Sequence, residues 1–341
     1  MKLWTHTTLA AGAVLLAGAT LGAQAIINGA GATFPNPIYQ KWFSEYNKLH
    51  SDVRINYQPV GSGGGIQQVS AGTVFFGASD AAMTDEQLQA AKGKLLHFPT
   101  VLGGVVPIYN IPGVNAELKF TGPALADIFL GKITKWNDPA LAKANEGVQL
   151  PNTDIVVIHR SEGSGTTYIL TDFLAKVSPE WKSKVGVGAQ PNWPAGIGAK
   201  GSDAVTGQVK QTPGAIGYTE LTYALTNKIS FGSVQNRAGK FVKASPESVS
   251  AAAAAAAGKM PADFRVSIAN ADGDAVYPLS SFTWLLLYQD PKDKAQAKAM
   301  VEFVKWAVQD GQKFAPDMGY APLPKAVVDL ELKALATIKT Q

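Results

Sequence analysis

Two segments of the chain have the same local pattern, in which a strand-like run passes through a Gly/Ser-rich loop into a helix-like run. Alternating apolar residues at 53–57 precede the first loop, 61–65, and a continuous apolar run at 155–158 precedes the second, 160–167. Such loops turn successive backbone N–H groups toward one point, where the dipole of the following helix adds positive potential. The repeated unit predicts an α/β protein in which two anion-compatible loops face each other across a cleft.

The second loop also contains Arg160, whose planar guanidinium with five donors suits an oxyanion. Neither loop has the Gly-Lys-Ser/Thr ending of a nucleotide P-loop or the spacing of a dinucleotide fingerprint. We therefore expect an anion but no nucleotide cofactor. An ordinary strand-to-helix turn is the alternative for either loop taken alone.

Two further positions fit the same kind of site. A glycine loop at 28–35 contains Thr33 and leads into a helix-like segment, and Asp80 follows the short strand-like run 74–78. Open α/β sheets bind ligands at the carboxyl ends of their strands. The alternatives are that Thr33 simply caps the helix that follows it and that Asp80 is a turn residue.

Two long apolar runs, 95–109 and 277–288, bracket the middle of the chain. The first is too long for one plain strand, and its Gly103-Gly104 pair predicts a bend. Two such crossings are what two lobes joined by a pair of strands require. We predict a first lobe from residues 26–103 plus 276–341 and a second lobe from residues 104–275.

Other local patterns predict helices away from the loops. Ser202-Asp203 has the sequence of a helix cap, and residues 245–258, with seven consecutive alanines, are typical of a surface helix. A last helix is expected from Pro291 to about Gln309.

Composition excludes several kinds of chemistry. The 341 residues include no cysteine, so disulfides and thiolate catalysis are excluded, and four histidines make a metal site unexpected. The formal net charge is only +4 and blocks of Lys or Arg are missing, so nucleic acid is not an expected partner.

The first 25 residues have the features of a cleaved export signal. Lys2 precedes an apolar run at 9–21, and Ala23-Gln24-Ala25 provides the small residues of a cleavage site after Ala25. No later run reaches the roughly 18 apolar residues that a membrane span needs. These features predict an exported protein of the bacterial periplasm.

Six motifs occur in a fixed order through nearly all of the chain that follows this signal: GAGATFP at 29–35, GSGG at 61–64, FGASD at 76–80, GKI at 131–133 with Trp136, RSEGSGT at 160–166 and PGAIGY at 213–218. Together they resemble the periplasmic phosphate-binding proteins of ABC phosphate transporters. The resemblance implies a type II periplasmic-binding-protein fold, with two α/β lobes joined by two hinge strands and inorganic phosphate in the cleft. It also implies a monomer that delivers phosphate to membrane permease subunits and is not an enzyme.

The resemblance also implies which residues hold the phosphate: Thr33, Phe34 through its backbone, Ser62, Asp80, Arg160, Ser164, Gly165 and Thr166. Glu162 stands where relatives often have Asp and is expected to pair with Arg160. His159 alternates away from Arg160 on the strand, which predicts a surface or supporting role.

Asp80 is the expected discriminator among anions. A carboxylate accepts hydrogen bonds, so it tolerates phosphate, which has a proton of its own near neutral pH, and repels sulfate, which has none. Other tetrahedral oxyanions, namely arsenate, sulfate and molybdate, are the alternative ligands. A secreted phosphatase is a weaker alternative, because Ser62, Ser79 and Ser164 have no neighbouring histidine to act as a base.

Overall fold

A mixed sheet of nine strands runs through the part of the chain that the computed structural model describes, residues 24–256, 258 and 260–341. Most of the predicted export signal, residues 1–23, lies outside this part, and Ala25 is the first residue of β1. The strands of the described residues are β1 (Ala25–Gly31), β2 (Val53–Pro59), β3 (Phe76–Ser79), β4 (Leu95–Tyr109), β5 (Lys119–Phe120), β6 (Val156–Arg160), β7 (Ile197–Ala199), β8 (Ala215–Glu220), β9 (Ser230–Phe231), β10 (Ser233–Gln235), β11 (Phe241–Val242) and β12 (Ser280–Tyr288). Three of them, β5, β10 and β11, form a separate small sheet, and the other nine form the mixed sheet.

Helices cover this sheet and connect its strands. They are α1 (Asn36–Leu49), α2 (Ser62–Ala71), α3 (Asp85–Ala90), α4 (Gly122–Phe129), α5 (Pro139–Ala144), α6 (Gly165–Val177), α7 (Pro179–Lys184), α8 (Gly201–Gln211), α9 (Leu221–Asn227), α10 (Pro246–Ala256), α11 (Lys294–Val308) and α12 (Lys325–Leu335). Two short 3₁₀ helices, Asp310–Phe314 and Pro316–Met318, follow α11. No helix of the described residues is both long enough and apolar enough to span a bilayer.

The order of the strands divides the sheet into two lobes. It runs β2-β1-β3-β12-β4-β8-β6-β7, with β9 also paired to β4. Within β4, the residues up to Gly104 pair with β12, and those from Val105 pair with β8. The first lobe therefore contains β1, β2, β3 and β12, the second contains β6, β7 and β8, and β4 belongs to both. The predicted two-lobe α/β architecture is confirmed.

The long apolar run is one continuous strand of 15 residues, so the expectation that it exceeds a single strand is wrong. At Gly103-Gly104, where the sequence predicts a bend, β4 changes its pairing partner from β12 to β8. Gly103 has a packing role, because a Cβ there would lie 2.4 Å from the ring of Phe34.

Apolar faces at helical spacing anchor the first lobe. Ile38, Trp42, Phe43 and Tyr46 of α1 are buried, as their periodicity predicts. The Trp42 indole N–H also donates 2.7 Å to the carbonyl of Gly311, which ties α1 to the C-terminal segment. This fixes the loop that precedes α1 and carries Thr33 and Phe34.

Three local expectations are corrected by the structure. The α8 N-cap is Lys200, and the Ser202 hydroxyl bonds to Arg160 and Thr33 instead of capping the helix. The alanine-rich helix α10 is not only a surface helix, since Val249, Ala252 and Ala253 are buried. A further helix, α12, follows the one expected to be last.

Candidate functional site

The two Gly/Ser-rich loops meet directly between the lobes. The backbone N–H of Gly63 donates 2.9 Å to the carbonyl of Gly163, and the N–H of Gly165 donates 3.0 Å to Ser62 Oγ. The close approach of Gly63 to Gly163 depends on the absence of side chains, because a Cβ on Gly63 would lie 3.1 Å from the Cα of Gly163. The prediction that these loops face each other across a cleft is confirmed.

The second-lobe loop becomes the first turn of α6. Ser164 is the N-cap of this helix, and its Oγ accepts the backbone N–H of Thr167 at 3.2 Å. Gly165 and Thr166 are the first two helical residues, and both are buried. Backbone N–H groups in a first helical turn have no intrahelical acceptor, so this turn can donate hydrogen bonds to an anion.

Arg160 ends β6 and is only 2% exposed. Its Nε donates 2.9 Å to Glu162 Oε1, and its Nη1 donates to Thr166 Oγ1 at 3.2 Å and to Ser202 Oγ at 3.0 Å. Burial lowers the pKa of Arg160, but the bond to Glu162 more than offsets this and leaves the pKa raised. The guanidinium is therefore a fixed positive charge inside the cleft.

His159 lies on the other side of the strand from the Arg160 guanidinium contacts. Its ring stacks on Trp193 with centroids 4.7 Å apart, and its Nδ1 is 3.0 Å from the carbonyl oxygen of Arg160. Burial lowers the pKa of His159. The residue supports the backbone that carries Arg160.

Asp80 follows β3 and is 1% exposed. Thr283 Oγ1 donates 2.7 Å to Oδ1, Ser62 Oγ donates 3.4 Å to Oδ2, and the Asp80 backbone N–H donates 3.1 Å to Ser62 Oγ. Burial, followed by the negative charge of Glu220, raises the pKa of Asp80 to about 8. In the closed cleft the carboxyl group thus holds a proton at neutral pH.

The first glycine loop reaches the same place from the side of α1. Thr33 does not cap α1, whose N-cap is Pro35. Instead Thr33 Oγ1 lies 2.8 Å from Ser202 Oγ, and the Thr33 carbonyl accepts the Tyr223 hydroxyl at 2.8 Å. These contacts join the first lobe to the second beside Arg160.

Sequence reasoning missed three residues of this cleft: Ser202, Thr283 and Glu220. Glu220 is the last residue of β8, is 1% exposed, and accepts hydrogen bonds from Thr166 and Thr219. The signal was available, since Glu220 is the last residue of a strand parallel to β6, and Asp80 directly follows the last residue of β3. Ser202 and Thr283 had no local signal, because their partners lie far away in sequence.

Comparison with known proteins identifies the family. The sequence model of the PBP superfamily domain matches residues 18–310. The phosphate-binding protein PstS of Xylella fastidiosa strain 9a5c is 47% identical over 89% of this chain and 82% of its own length. The PstS protein of Pasteurella multocida is 46% identical over 93% of this chain and 92% of its own length. This chain belongs to the phosphate-binding protein family.

Solved structures show the same fold for the phosphate-binding protein family. A high affinity periplasmic phosphate-binding protein (PfluDING), bound with phosphate at pH 8.5, superposes with a TM-score of 0.69 at 23% identity, over 91% of this chain and 93% of that one. The phosphate binding protein from Stenotrophomonas maltophilia gives 0.68 at 20% identity, over 90% and 93%. The family resemblance read from the six sequence motifs is confirmed.

Within residues 24–341, leaving aside the two that the structure does not describe, no three His, Asp or Glu side chains are grouped so that they could hold a metal ion. The ionisable groups that the contacts above bring together in the cleft are Arg160, Glu162, Asp80 and Glu220.

Proposed function

We propose that this protein is a receptor that binds inorganic phosphate between its two lobes and delivers it to an ABC transporter for import. One observation carries the proposal: two Gly/Ser-rich loops from different lobes converge on buried Arg160 and Asp80. The names of two relatives at 47% and 46% identity, which are phosphate-binding proteins, support phosphate as the ligand.

The residues proposed to hold phosphate come from both lobes: Thr33, Phe34, Ser62 and Asp80 from the first, and Arg160, Ser164, Gly165 and Thr166 from the second. Arg160 contributes a full positive charge, and Glu162 keeps its guanidinium oriented. Hydroxyl groups and backbone N–H groups supply the remaining interactions as dipoles. This division lets opening of the lobes break half of the contacts at once, as release to a permease requires.

Asp80 is proposed to share one proton with the ligand. Because its pKa is about 8 in the closed cleft, the carboxyl group and the enclosed phosphate have a proton between them at neutral pH. Asp80 and the ligand together hold the same number of protons in two cases: protonated Asp80 donating to HPO₄²⁻, and ionised Asp80 accepting from H₂PO₄⁻. In either form a hydrogen bond replaces the repulsion between two bare anionic groups.

The lobe boundaries, at residues 26–103 plus 276–341 and 104–275, belong to the same proposal. The change of partner in β4 after Gly104 supports the first of them. The hydrogen bond from the Val105 N–H to the carbonyl of Leu279 supports the pairing of the two crossing segments. We expect the hinge between open and closed forms at this pair.

Finer features of the receptor follow from the family and from the leader sequence. We propose a periplasmic monomer, released by cleavage after Ala25, that docks on membrane permease subunits and uses no cofactor, metal or catalytic group. The apolar leader with Lys2 before it and small residues at its end supports export.

The decisive experiment measures what the purified protein contains. Freshly purified protein is denatured, and the inorganic phosphate released is assayed against protein concentration. We expect one phosphate per chain, and calorimetric titration of the refolded, phosphate-free protein should restore binding. Absence of released phosphate together with absence of calorimetric binding would refute the proposal, and parallel titrations with arsenate, sulfate and molybdate would identify another oxyanion.

A further inference from the structure

Three buried tyrosine hydroxyl groups donate to three successive carbonyl groups of the first glycine loop. The bonds run from Tyr57 to Ala32 at 2.6 Å, from Tyr223 to Thr33 at 2.8 Å and from Tyr320 to Phe34 at 2.6 Å. None of the three tyrosines is more than 8% exposed, and burial raises the pKa of each hydroxyl group above its ordinary value. Each hydroxyl group therefore keeps its proton and remains a donor.

These bonds fix the backbone N–H groups of the same loop. The peptide bonds of the described residues are trans, so the carbonyl and the N–H of one planar peptide unit point in opposite directions. The Ala32 carbonyl thus sets the direction of the Thr33 N–H, and the Thr33 carbonyl sets that of the Phe34 N–H. Among the described residues neither N–H has a hydrogen-bond acceptor, which leaves both free to donate to a ligand.

Of the three tyrosines, Tyr223 alone comes from the second lobe, because it lies on α9, which directly follows β8. Tyr57 lies on β2, and Tyr320 precedes Ala321, which is bridged to the first-lobe part of β4. The Thr33 carbonyl also accepts a backbone N–H within its own loop, at 3.1 Å, and that bond does not involve the second lobe. Separation of the lobes therefore removes the tyrosine from the Thr33 carbonyl and leaves the turn in place.

We propose that Tyr223 is a positioning residue that couples closure of the lobes to the orientation and strength of the Phe34 N–H as a donor. This inference rests on the proposed phosphate-binding function and adds a residue outside the implied binding set. A hydrogen bond accepted by the carbonyl polarises the peptide unit and strengthens the N–H at its other end. The Phe34 N–H is then a strong donor in the closed form and a weaker one in the open form, which favours release on opening.

One nuclear magnetic resonance signal can follow both ends of this peptide unit. The dipeptide Thr-Phe occurs once in the chain, at 33–34. Protein labelled with ¹³C-carbonyl threonine and ¹⁵N-phenylalanine therefore gives a single HNCO peak, whose carbon frequency senses the Thr33 carbonyl and whose proton frequency senses the Phe34 N–H. When inorganic phosphate is titrated into the phosphate-free wild type, we expect both frequencies to move together. A proton frequency that moves while the carbon frequency stays would overturn the coupling.

Tyr223→Phe removes only the hydroxyl group. We expect the phosphate affinity, measured by calorimetry, to fall about tenfold, and the shift of the Phe34 proton on phosphate binding to become smaller. The ligand-free melting temperature should not change, because the hydroxyl group does not touch Thr33 when the lobes are apart.

Tyr320→Phe is the matched control. It removes the same group from the neighbouring carbonyl, but that peptide unit ends in Pro35, which has no N–H to orient. We expect the phosphate affinity to change by less than about twofold. The ligand-free melting temperature should fall, since the buried Phe34 carbonyl loses its partner within the first lobe.

Several results would overturn the proposal. Equal affinity losses in Tyr223→Phe and Tyr320→Phe would show that the loop needs only general support. An affinity loss in Tyr223→Phe with an unchanged shift of the Phe34 proton would show that the hydroxyl group does not act through this peptide unit. If Tyr223→Phe does not fold, the wild-type titration decides, because it requires no variant. Failure of the wild type to bind phosphate in calorimetry would instead reject the proposed function.

Discussion

Gly165 touches Ser62 across the cleft so closely that no side chain fits between them. The Gly165 N–H donates 3.0 Å to Ser62 Oγ, and a Cβ on Gly165 would lie 2.5 Å from that oxygen and 2.6 Å from the Cβ of Asp80. Closure of the two lobes therefore depends on the absence of a side chain at Gly165, as it does at Gly63.

Gly165→Ala is expected to impair closure without unfolding the protein. Alanine is the better helix former at the start of α6, so the ligand-free melting temperature should not fall, while the phosphate affinity should fall at least about tenfold. Calorimetry and thermal melting measure the two effects. Gly207→Ala is the matched control, because it lies within α8 with no atom within 4 Å of a new Cβ, and it should leave the affinity unchanged.

Asp80→Asn should alter sulfate binding mainly at alkaline pH. Sulfate has no proton, so its binding needs Asp80 protonated; the wild-type affinity should be level below pH 8 and fall about tenfold per unit above it. An asparagine amide donates without titrating, so the variant should lack this fall and lose preference for phosphate most strongly above pH 8. Sulfate titrations from about pH 6.5 to about pH 9.5, a range that brackets this pKa, provide the measurement.

Asp52→Asn is the control for this pH series, because Asp52 is exposed and distant from the cleft loops in the sheet. It should reproduce the wild-type curve. A wild-type sulfate affinity that stays level through pH 9.5 would contradict a titrating Asp80 in the cleft.

Arg160→Lys should weaken phosphate binding although the charge is kept. The guanidinium bonds to Glu162, Thr166 and Ser202 at once, and an ammonium group cannot reproduce this planar fork. We expect an affinity loss of about tenfold or more, with a ligand-free melting temperature a few degrees lower, since Glu162 loses part of its pairing. Arg54→Lys, at an exposed position, should change neither quantity; an unchanged affinity in Arg160→Lys would remove the argument for fork geometry.

Glu331→Leu should stabilise the protein. Glu331 on α12 is fully buried, and neither carboxyl oxygen has a hydrogen-bond partner among the described residues, which costs about 1–3 kcal/mol. Burial raises the pKa of Glu331 well above its ordinary value. Between the unfolded pKa, about 4.3, and this raised pKa the unfolded state binds fewer protons than the folded state, so wild-type stability decreases as the pH rises.

The stabilisation by Glu331→Leu should therefore be small near pH 4 and larger at pH 8. Chemical unfolding of the ligand-free protein at both pH values measures the difference. The exposed Glu302, which pairs with Lys305, gives the control Glu302→Gln, with a change below about 0.5 kcal/mol. A destabilised Glu331→Leu at pH 8 would indicate that the carboxyl group has a partner that the structure does not show.

The sequence by itself determined the architecture and most of the local elements. Period-2 and helical patterns located β2, α1 and α11. The Gly/Ser-rich sequences before two helices predicted anion-compatible loops, because the direction of backbone N–H groups depends on local conformation. The order of the motifs was enough to predict the family.

Only the tertiary structure decided how the cleft is charged and which way its hydroxyl groups point. The raised pKa of Asp80 depends on burial and on Glu220, a residue 140 positions away that pattern reasoning did not select. Likewise Ser202 does not cap α8 as the sequence predicts, because its hydroxyl group bonds to Arg160 and Thr33. Hydrogen bonds and desolvation act between residues that folding brings together, so the sequence pattern alone does not contain them.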